Sequence, residues 1–349
     1  MPQEISLHFP FEPRRSPDSS RASRSNLQWL REFGLVTSKE ALTRYASWDL
    51  SDLAARAYPD ALGEDLGLAL DTMSFFFLFD DQFDGPVGNL PDITAEVCDE
   101  LSRIVHLDLD ASAAYGSPVT RSFADIWARA RLGMPQDWKE RASRNWHEYF
   151  VAHIEEAANR QSRRRLSEEE YLRLRRATVG VLPSIDLAQR VQNFRVPERI
   201  ACNHAMASLS EIATDTIALG NDIFSAEKEA AQNDPHNIVL IIQSMSELSR
   251  ESAIAAIAGR IEDKVEFFES IVTQLPETLQ PLAPSQTEQE HVRRFVLGLR
   301  DWMRASYDWQ AKSHRYTTSV DASNETSFFE DLLSSSTHSG YATAGECEG

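Results

Sequence analysis

Five residues, Asp80-Asp81-Gln82-Phe83-Asp84, place three carboxylates within one turn and a half of chain, followed by Gly85 and Pro86. Asp80 and Asp84 are four apart and share a helix face. Carboxylates at the C-terminal end of a helix repel one another and oppose its dipole. A bound cation relieves that cost, and hard oxygen ligands favour Mg²⁺ or Ca²⁺. The plain alternative is a solvated acidic helix end. The preceding run Ser74-Phe75-Phe76-Phe77-Leu78-Phe79 sets the acids at the rim of an apolar volume.

A second oxygen-rich segment is NDIFSAEKE, residues 221–229. Asn221, Ser225 and Glu229 recur every four residues, so they form one row along a helix, and each offers an oxygen ligand. Lys228, beside Glu229, can reach an anion held by a metal there. Mid-helix Asn and Ser have no strong helix propensity, so such a stripe asks for a reason. An ordinary polar helix face is the competing reading. Arg175-Arg176 precede Gly180 and Pro183, whose chemistry predicts a kinked or broken helix near 179–184 with freed carbonyls. Trp309 and Arg315-Tyr316 close the last periodic segment, where Arg could simply cap a helix. Trp48, Phe75, Phe76, Phe77 and Trp309 are core residues by default; as cavity walls, their faces would stabilise cations.

The elements that must hold these residues are helices. Gly is 14 and Pro 15 of 349 residues, and long periodic segments show little strand-like alternation. Helices are predicted near 26–34, 38–57, 63–79, 91–108, 118–132, 136–161, 167–180, 199–229, 236–248, 251–274 and 285–315. Residues 1–25 read as an extended segment and 26–316 as one all-α domain. Residues 317–349, with 12 Ser or Thr, six acids and no Lys or Arg, read as a disordered tail.

Charge narrows the partners. Lys and Arg number 35 against 54 Asp and Glu, a net −19, and the body without the tail still carries −13. That excludes a basic nucleic-acid face and docking on an anionic membrane. Cys98, Cys202 and Cys347 are far apart and suggest neither a zinc site nor a disulfide framework. His147, His153, His204 and His314 lack metal spacing and read as structural. No membrane span, G-x-S-x-G, P-loop or G-x-G-x-x-G pattern is present. A cytoplasmic protein is expected.

Together these pieces resemble the microbial class I terpene synthases over about residues 26–316. DDQFD is similar to that family's aspartate-rich DDxx(x)D motif, and NDIFSAEKE to its second metal motif, NDxxSxxKE. Arg175 stands 46 positions before Asn221, as the family's diphosphate-sensing Arg does. Arg315-Tyr316 is similar to the terminal RY pair, and Trp309 to a cavity Trp before it.

The resemblance implies a helical bundle with a deep apolar active-site cavity and, at its mouth, three Mg²⁺ ions holding the diphosphate of a linear prenyl substrate. It implies metal ligation by Asp80, with Asp84 helping, and by Asn221, Ser225 and Glu229; Asp81 more often partners another side chain. Arg175, Lys228, Arg315 and Tyr316 would bind diphosphate, with Phe76, Phe77 and Trp309 lining the cavity. Thr178 and Val179 match the linker and effector positions of the kinked helix. The effector is often Gly, so Val179 departs from the pattern and narrows the pocket.

The implied reaction is ionisation of the diphosphate and cyclisation of the cation, with farnesyl diphosphate favoured over geranylgeranyl diphosphate, in a monomer or homodimer. A chain-elongating prenyl transferase would carry a second aspartate-rich motif. A non-catalytic helical metal-binding module would need neither Arg175 nor Arg315. A purely structural protein leaves all four motif spacings to chance.

Overall fold

The computed structural model describes residues 6–84, 86–106, 116–316 and 331–333. They form fourteen α-helices, and no strand occurs among them. Near the N-terminus lie α1 (Ser19–Glu32), α2 (Lys39–Trp48), α3 (Leu50–Ala57) and α4 (Gly63–Phe83). Next come α5 (Pro91–His106), α6 (Pro118–Arg131), α7 (Gln136–Ser162), α8 (Glu168–Thr178) and α9 (Val181–Val191). The rest are α10 (Glu198–Ala201), α11 (His204–Gln232), α12 (Ile238–Ser246), α13 (Arg250–Leu279) and α14 (Gln286–Gln310).

The all-α expectation holds, and α4 shows why the fold centres where it does. Consecutive residues from Leu66 to Phe75 are buried on every face of α4, the pattern of a helix inside a core. It packs against α1, α3, α6 and α9. Among the long helices, α11 lies against α13 and α14, and α7 against α5 and α8. Ser167–Glu170 and Ser285–Glu288 form capping boxes that start α8 and α14.

Several boundaries differ from the sequence reading. Leu7, Phe9 and Phe11 are buried while His8 and Pro10 are exposed, so the N-terminal segment begins extended as expected. It ends at α1, however, which starts at Ser19 rather than near 26. The buried row Ala22, Asn26, Trp29, Leu30 hides in a polar run because its centre is Asn26, whose amide donates to Asp71 and Ser74 at 2.9 Å. Residues 38–57 form two helices, broken at Asp49 with φ 50°. The helix with the carboxylates continues to Phe83, so Asp80 and Asp81 lie in its last turn rather than past its end.

The break between α8 and α9 spans Val179 and Gly180 alone, and Gly180 makes it with φ +71°. Pro183 stands in the first turn of α9, where its missing N–H costs little. It can donate nothing to the carbonyl four residues back, which is Val179's. Most of the tail after Tyr316 lies outside the described residues. Its three described residues are docked: Leu332 is fully buried. The Leu332 N–H donates to Gln82 Oε1 (3.1 Å), and its carbonyl accepts from Val119 (3.2 Å). Disorder therefore does not describe Asp331–Leu333.

Candidate active site

Two helix segments meet at one end of the bundle: the last turn of α4, with the aspartate run, and the C-terminal part of α11, with the Asn/Ser/Glu stripe. Lys228 of α11 crosses the gap to Asp84 Oδ2 at 2.6 Å and lies 3.9 Å from Asp81. From beyond α14, Arg315 makes a two-pronged pair with Asp81 at 2.5 and 3.1 Å. Arg315 does not cap the helix, which ends five residues earlier. Its guanidinium lies 4.5 Å from the ring of Trp48 and 4.9 Å from that of Phe77, a cation held between two π faces. Trp309 Nε1 and Ser313 Oγ both donate to the Trp48 carbonyl, at 2.7 and 3.1 Å, and so fasten this segment.

The arginine pair splits. Arg175 donates to Asp222 Oδ1 (3.1 Å) and Asn221 Oδ1 (2.7 Å). Arg176 turns away to Asp215 (2.6 and 2.9 Å) on another face of α11. Asn221 completes a chain by donating to the Tyr316 hydroxyl at 2.9 Å. Arg175, Asn221 and Tyr316 thus form one contact chain and Arg315, Asp81, Lys228 and Asp84 another, the two meeting at the neighbouring residues Arg315 and Tyr316. Glu227 points outward to Arg250.

Ser225 is buried and Glu229 half-buried on the same stripe. Asp80 is 53 % exposed, with His153 Nε2 3.8 Å from its carboxylate. His153 is itself buried, its Nδ1 2.8 Å from the Tyr149 carbonyl, and its Nε2 has no hydrogen-bond partner. The sequence reading of His153 as merely structural therefore misses its place beside Asp80.

The electrostatics are short of positive charge. Five motif carboxylates, Asp80, Asp81, Asp84, Asp222 and Glu229, share three cations, Arg175, Lys228 and Arg315. Burial opposes ionisation of Asp81, but Arg315 and Lys228 outweigh it and hold the carboxyl below its ordinary range. At Asp80 the same contest is won by His153, Arg315 and Lys228. The others go the opposite way. Burial, with the charges of Asp81 and Asp80, pushes Asp84 up despite Lys228. Burial and the neighbouring Asp222 push Glu229 up to about 8. Among the described residues no three acids or histidines already converge as a closed metal centre. The donor set is nonetheless all hard oxygen and holds more carboxylates than cations, which suits a divalent cation with a diphosphate.

Below the acids lies an aromatic floor. Phe76 and Phe77 are half-buried. Phe76 stacks on Trp146 at 4.8 Å and meets Tyr149 edge-on. Phe77 is backed by Trp309, edge-on at 5.2 Å, and Trp309 is buried behind it. A void behind Trp146, lined by Thr72, Trp138 and Pro183, measures about 10 Å³. Thr178 is buried with its hydroxyl unpartnered, and Val179 is half-buried at the α8–α9 break. A surface cleft of about 310 Å³ by Ser208, Glu211, Lys264 and Phe267 shares no residue with either motif.

The sequence reading gave no role to Asp222, Tyr171 or Asn237. Asp222 accepts from the Tyr171 hydroxyl (2.5 Å), the Ile238 N–H (3.0 Å) and Arg175. The one available signal was spacing: Tyr171 lies four before Arg175 and shares its helix face.

An all-helical bundle brings two oxygen-rich motifs, three cations and an aromatic floor together at one site. Residues 71–266 match the family described as "Terpene synthase family 2, C-terminal metal binding". The chain is 38 % identical over 318 residues to pentalenene synthase of Streptomyces avermitilis, covering 90 % of this chain and 94 % of that one. It is 37 % identical over 320 residues to a (−)-β-caryophyllene synthase of Saccharothrix espanaensis, described as (2E,6E)-farnesyl diphosphate cyclizing, with 90 % of each covered. Germacradien-4-ol synthase from Streptomyces citricolor superposes with TM-score 0.79 at 34 % identity, over 88 % of this chain and 98 % of that chain. The protein belongs to the bacterial class I terpene synthases of family 2. It is a terpene cyclase, a carbon–oxygen lyase acting on diphosphates. Among the described residues no helix is long and apolar enough to cross a membrane.

Proposed function

We propose that the protein ionises farnesyl diphosphate and cyclises the cation to a sesquiterpene with three Mg²⁺ ions. The observation that carries this is the meeting of both motifs and all three cations above the Phe76–Phe77 floor. Asp80 and Asp84 would hold Mg²⁺ on one side, and Asn221, Ser225 and Glu229 on the other. Magnesium, when bound, neutralises the charge that grows on the departing diphosphate.

Arg175, Lys228, Arg315 and Tyr316 donate hydrogen bonds to diphosphate oxygens, each exchanging a present partner for the ligand. The Val179 carbonyl, left without a helix donor by Pro183, offers partial negative charge to the allylic cation. Thr178 links it to α8. Phe76 and Phe77 present π faces to the migrating charge, and the packed shell behind them excludes quenching water. Relatives described as cyclising (2E,6E)-farnesyl diphosphate support this substrate, and Val179 in place of a smaller residue agrees.

The test is incubation of purified enzyme and Mg²⁺ with geranyl, farnesyl and geranylgeranyl diphosphates, with products read by GC–MS. A cyclic C15 hydrocarbon or alcohol from farnesyl diphosphate is expected. A cyclic product from geranylgeranyl diphosphate alone would establish a diterpene cyclase in its place.

A further inference from the structure

Asn237 belongs to neither motif, yet it touches three residues of the second. It is fully buried and precedes α12 with extended backbone, φ −152° and ψ 126°. Its Oδ1 accepts from the backbone N–H of Val239 (2.8 Å) and Leu240 (3.4 Å). That helix cap fixes which way the amide faces, so its NH₂ must point at α11. There it donates to Glu229 Oε2 at 2.6 Å and to the Asp222 carbonyl at 2.8 Å, and lies 3.4 Å from Ser225 Oγ.

Asp222, Ser225 and Glu229 are spaced three and four apart, so one donor reaches one face of α11 from behind. The same turn is anchored on both sides. The Ile238 N–H donates to Asp222 Oδ2 (3.0 Å), and the Tyr171 hydroxyl bonds both Asp222 (2.5 Å) and the His236 carbonyl (3.3 Å).

We propose that Asn237 is a positioning residue for the metal site, holding Glu229 and Ser225 in the orientation in which they ligate Mg²⁺. The inference rests on the reading of Ser225 and Glu229 as ligands. Glu229 has three side-chain torsions and starts from a partly exposed helix position. With Oε2 bonded to Asn237, those torsions are restricted and Oε1 remains available as a ligand. Groups that orient a ligand in this way commonly change metal affinity or activity by about 10–100-fold when removed. Capping alone does not require Asn here, because Ser caps about as well; what Ser lacks is the NH₂ group.

Asn237→Ser separates the two roles. It keeps a capping oxygen for α12 and removes the donor to Glu229. Thermal unfolding is followed with inorganic diphosphate and increasing Mg²⁺, beside Mg²⁺-dependent turnover of farnesyl diphosphate. We expect the metal-free melting temperature within about 2 °C of wild type, since one cap replaces another. The Mg²⁺ concentration giving half the diphosphate-induced shift rises at least ~10-fold. Asn237→Asp keeps size and cap but turns an acceptor toward Glu229, and it raises the Mg²⁺ requirement too. Wild-type Mg²⁺ dependence in either folded variant overturns the proposal, as does a loss of stability with unchanged Mg²⁺ dependence. If wild type itself shows no Mg²⁺-dependent stabilisation by diphosphate, the metal-site reading fails instead.

Discussion

Replacing Asp81 by Asn leaves Arg315 buried without its counter-charge. Both side chains are 7 % exposed, and the pair is two-pronged. Removing one partner of such a pair costs about 3–5 kcal/mol, because the other charge stays buried. Two features moderate the loss: Asn keeps one acceptor oxygen, and the guanidinium remains between Trp48 and Phe77. The expected cost is therefore about 2–3 kcal/mol. With an unfolding entropy of about 2.1 cal/mol/K per residue over about 300 residues, that lowers the melting temperature by about 4 °C.

Asp80→Asn, at a half-exposed carboxylate with no two-pronged Arg partner, is the control and costs less than Asp81→Asn does. The assay is calorimetry of metal-free protein, repeated with Mg²⁺ and inorganic diphosphate. The ligand gives Arg315 a new anion, so the gap between Asp81→Asn and wild type narrows. Because Arg315 and Lys228 hold Asp81 below its ordinary range, the pair is intact above about pH 4. Equal melting temperatures for Asp81→Asn and Asp80→Asn would refute the argument.

Asp80→Ala and Asn221→Ala each remove a proposed metal ligand and should cut turnover at least ~100-fold while circular dichroism stays that of a folded bundle; EDTA should stop wild-type turnover, and persistent cyclisation in either case would remove the metal assignment. In Gly180→Ala the new Cβ enters a φ of +71° and lies 3.0 Å from Phe76 Cε1, a ring that cannot retreat from Trp146. About 1–2 kcal/mol of stability is lost from the backbone term alone, and the product ratio shifts; unchanged urea midpoints and GC–MS traces would contradict the packing argument. Burial pushes Asp301 up to about 7 despite Arg14 at 2.9 Å. The folded state then holds this proton more tightly than the unfolded chain does, so its contribution is fully present below pH ~4 and is lost as pH rises through 7. Asp301→Asn should flatten the fall in stability between pH 5 and 7.5, by at most about 2.5 kcal/mol; an identical slope by denaturant titration counts against it.

What the sequence made legible follows from helical geometry. The four-residue spacing of Asn221, Ser225 and Glu229 requires only that α11 exist, and it does. The choice between Arg175 and Arg176 depends on the rotation of α8, which buried Tyr171 and Leu174 set. The motif spacing chose Arg175, and composition alone had no means to. Asn237 and His153 were invisible because their partners lie on other elements. An Asn before an apolar run reads as a helix cap, and only the approach of α12 to α11 gives its second nitrogen a task. Gly180 and Pro183 together marked the break between α8 and α9, but only the structure divides the work: Gly180 bends the chain, and Pro183 sits where a first turn tolerates it.

The acidity of the chain also takes on a definite meaning at the site. A net charge of −19 argues against anionic partners, yet the substrate class is a diphosphate. The described geometry resolves this by occupying every cation in advance. Arg315 rests on Asp81, Lys228 on Asp84, and Arg175 on Asp222 and Asn221. In that arrangement a bare anion meets carboxylates in excess and no cation without a partner among these three. A diphosphate arriving with divalent metal changes both sides of each pair. The acids gain a cation and the basic groups gain an anion. Anion binding is thereby made conditional on metal, so free diphosphate without Mg²⁺ should leave the melting temperature unmoved. A shift with diphosphate alone, in the presence of EDTA, would show that the three cations are not held as the geometry requires.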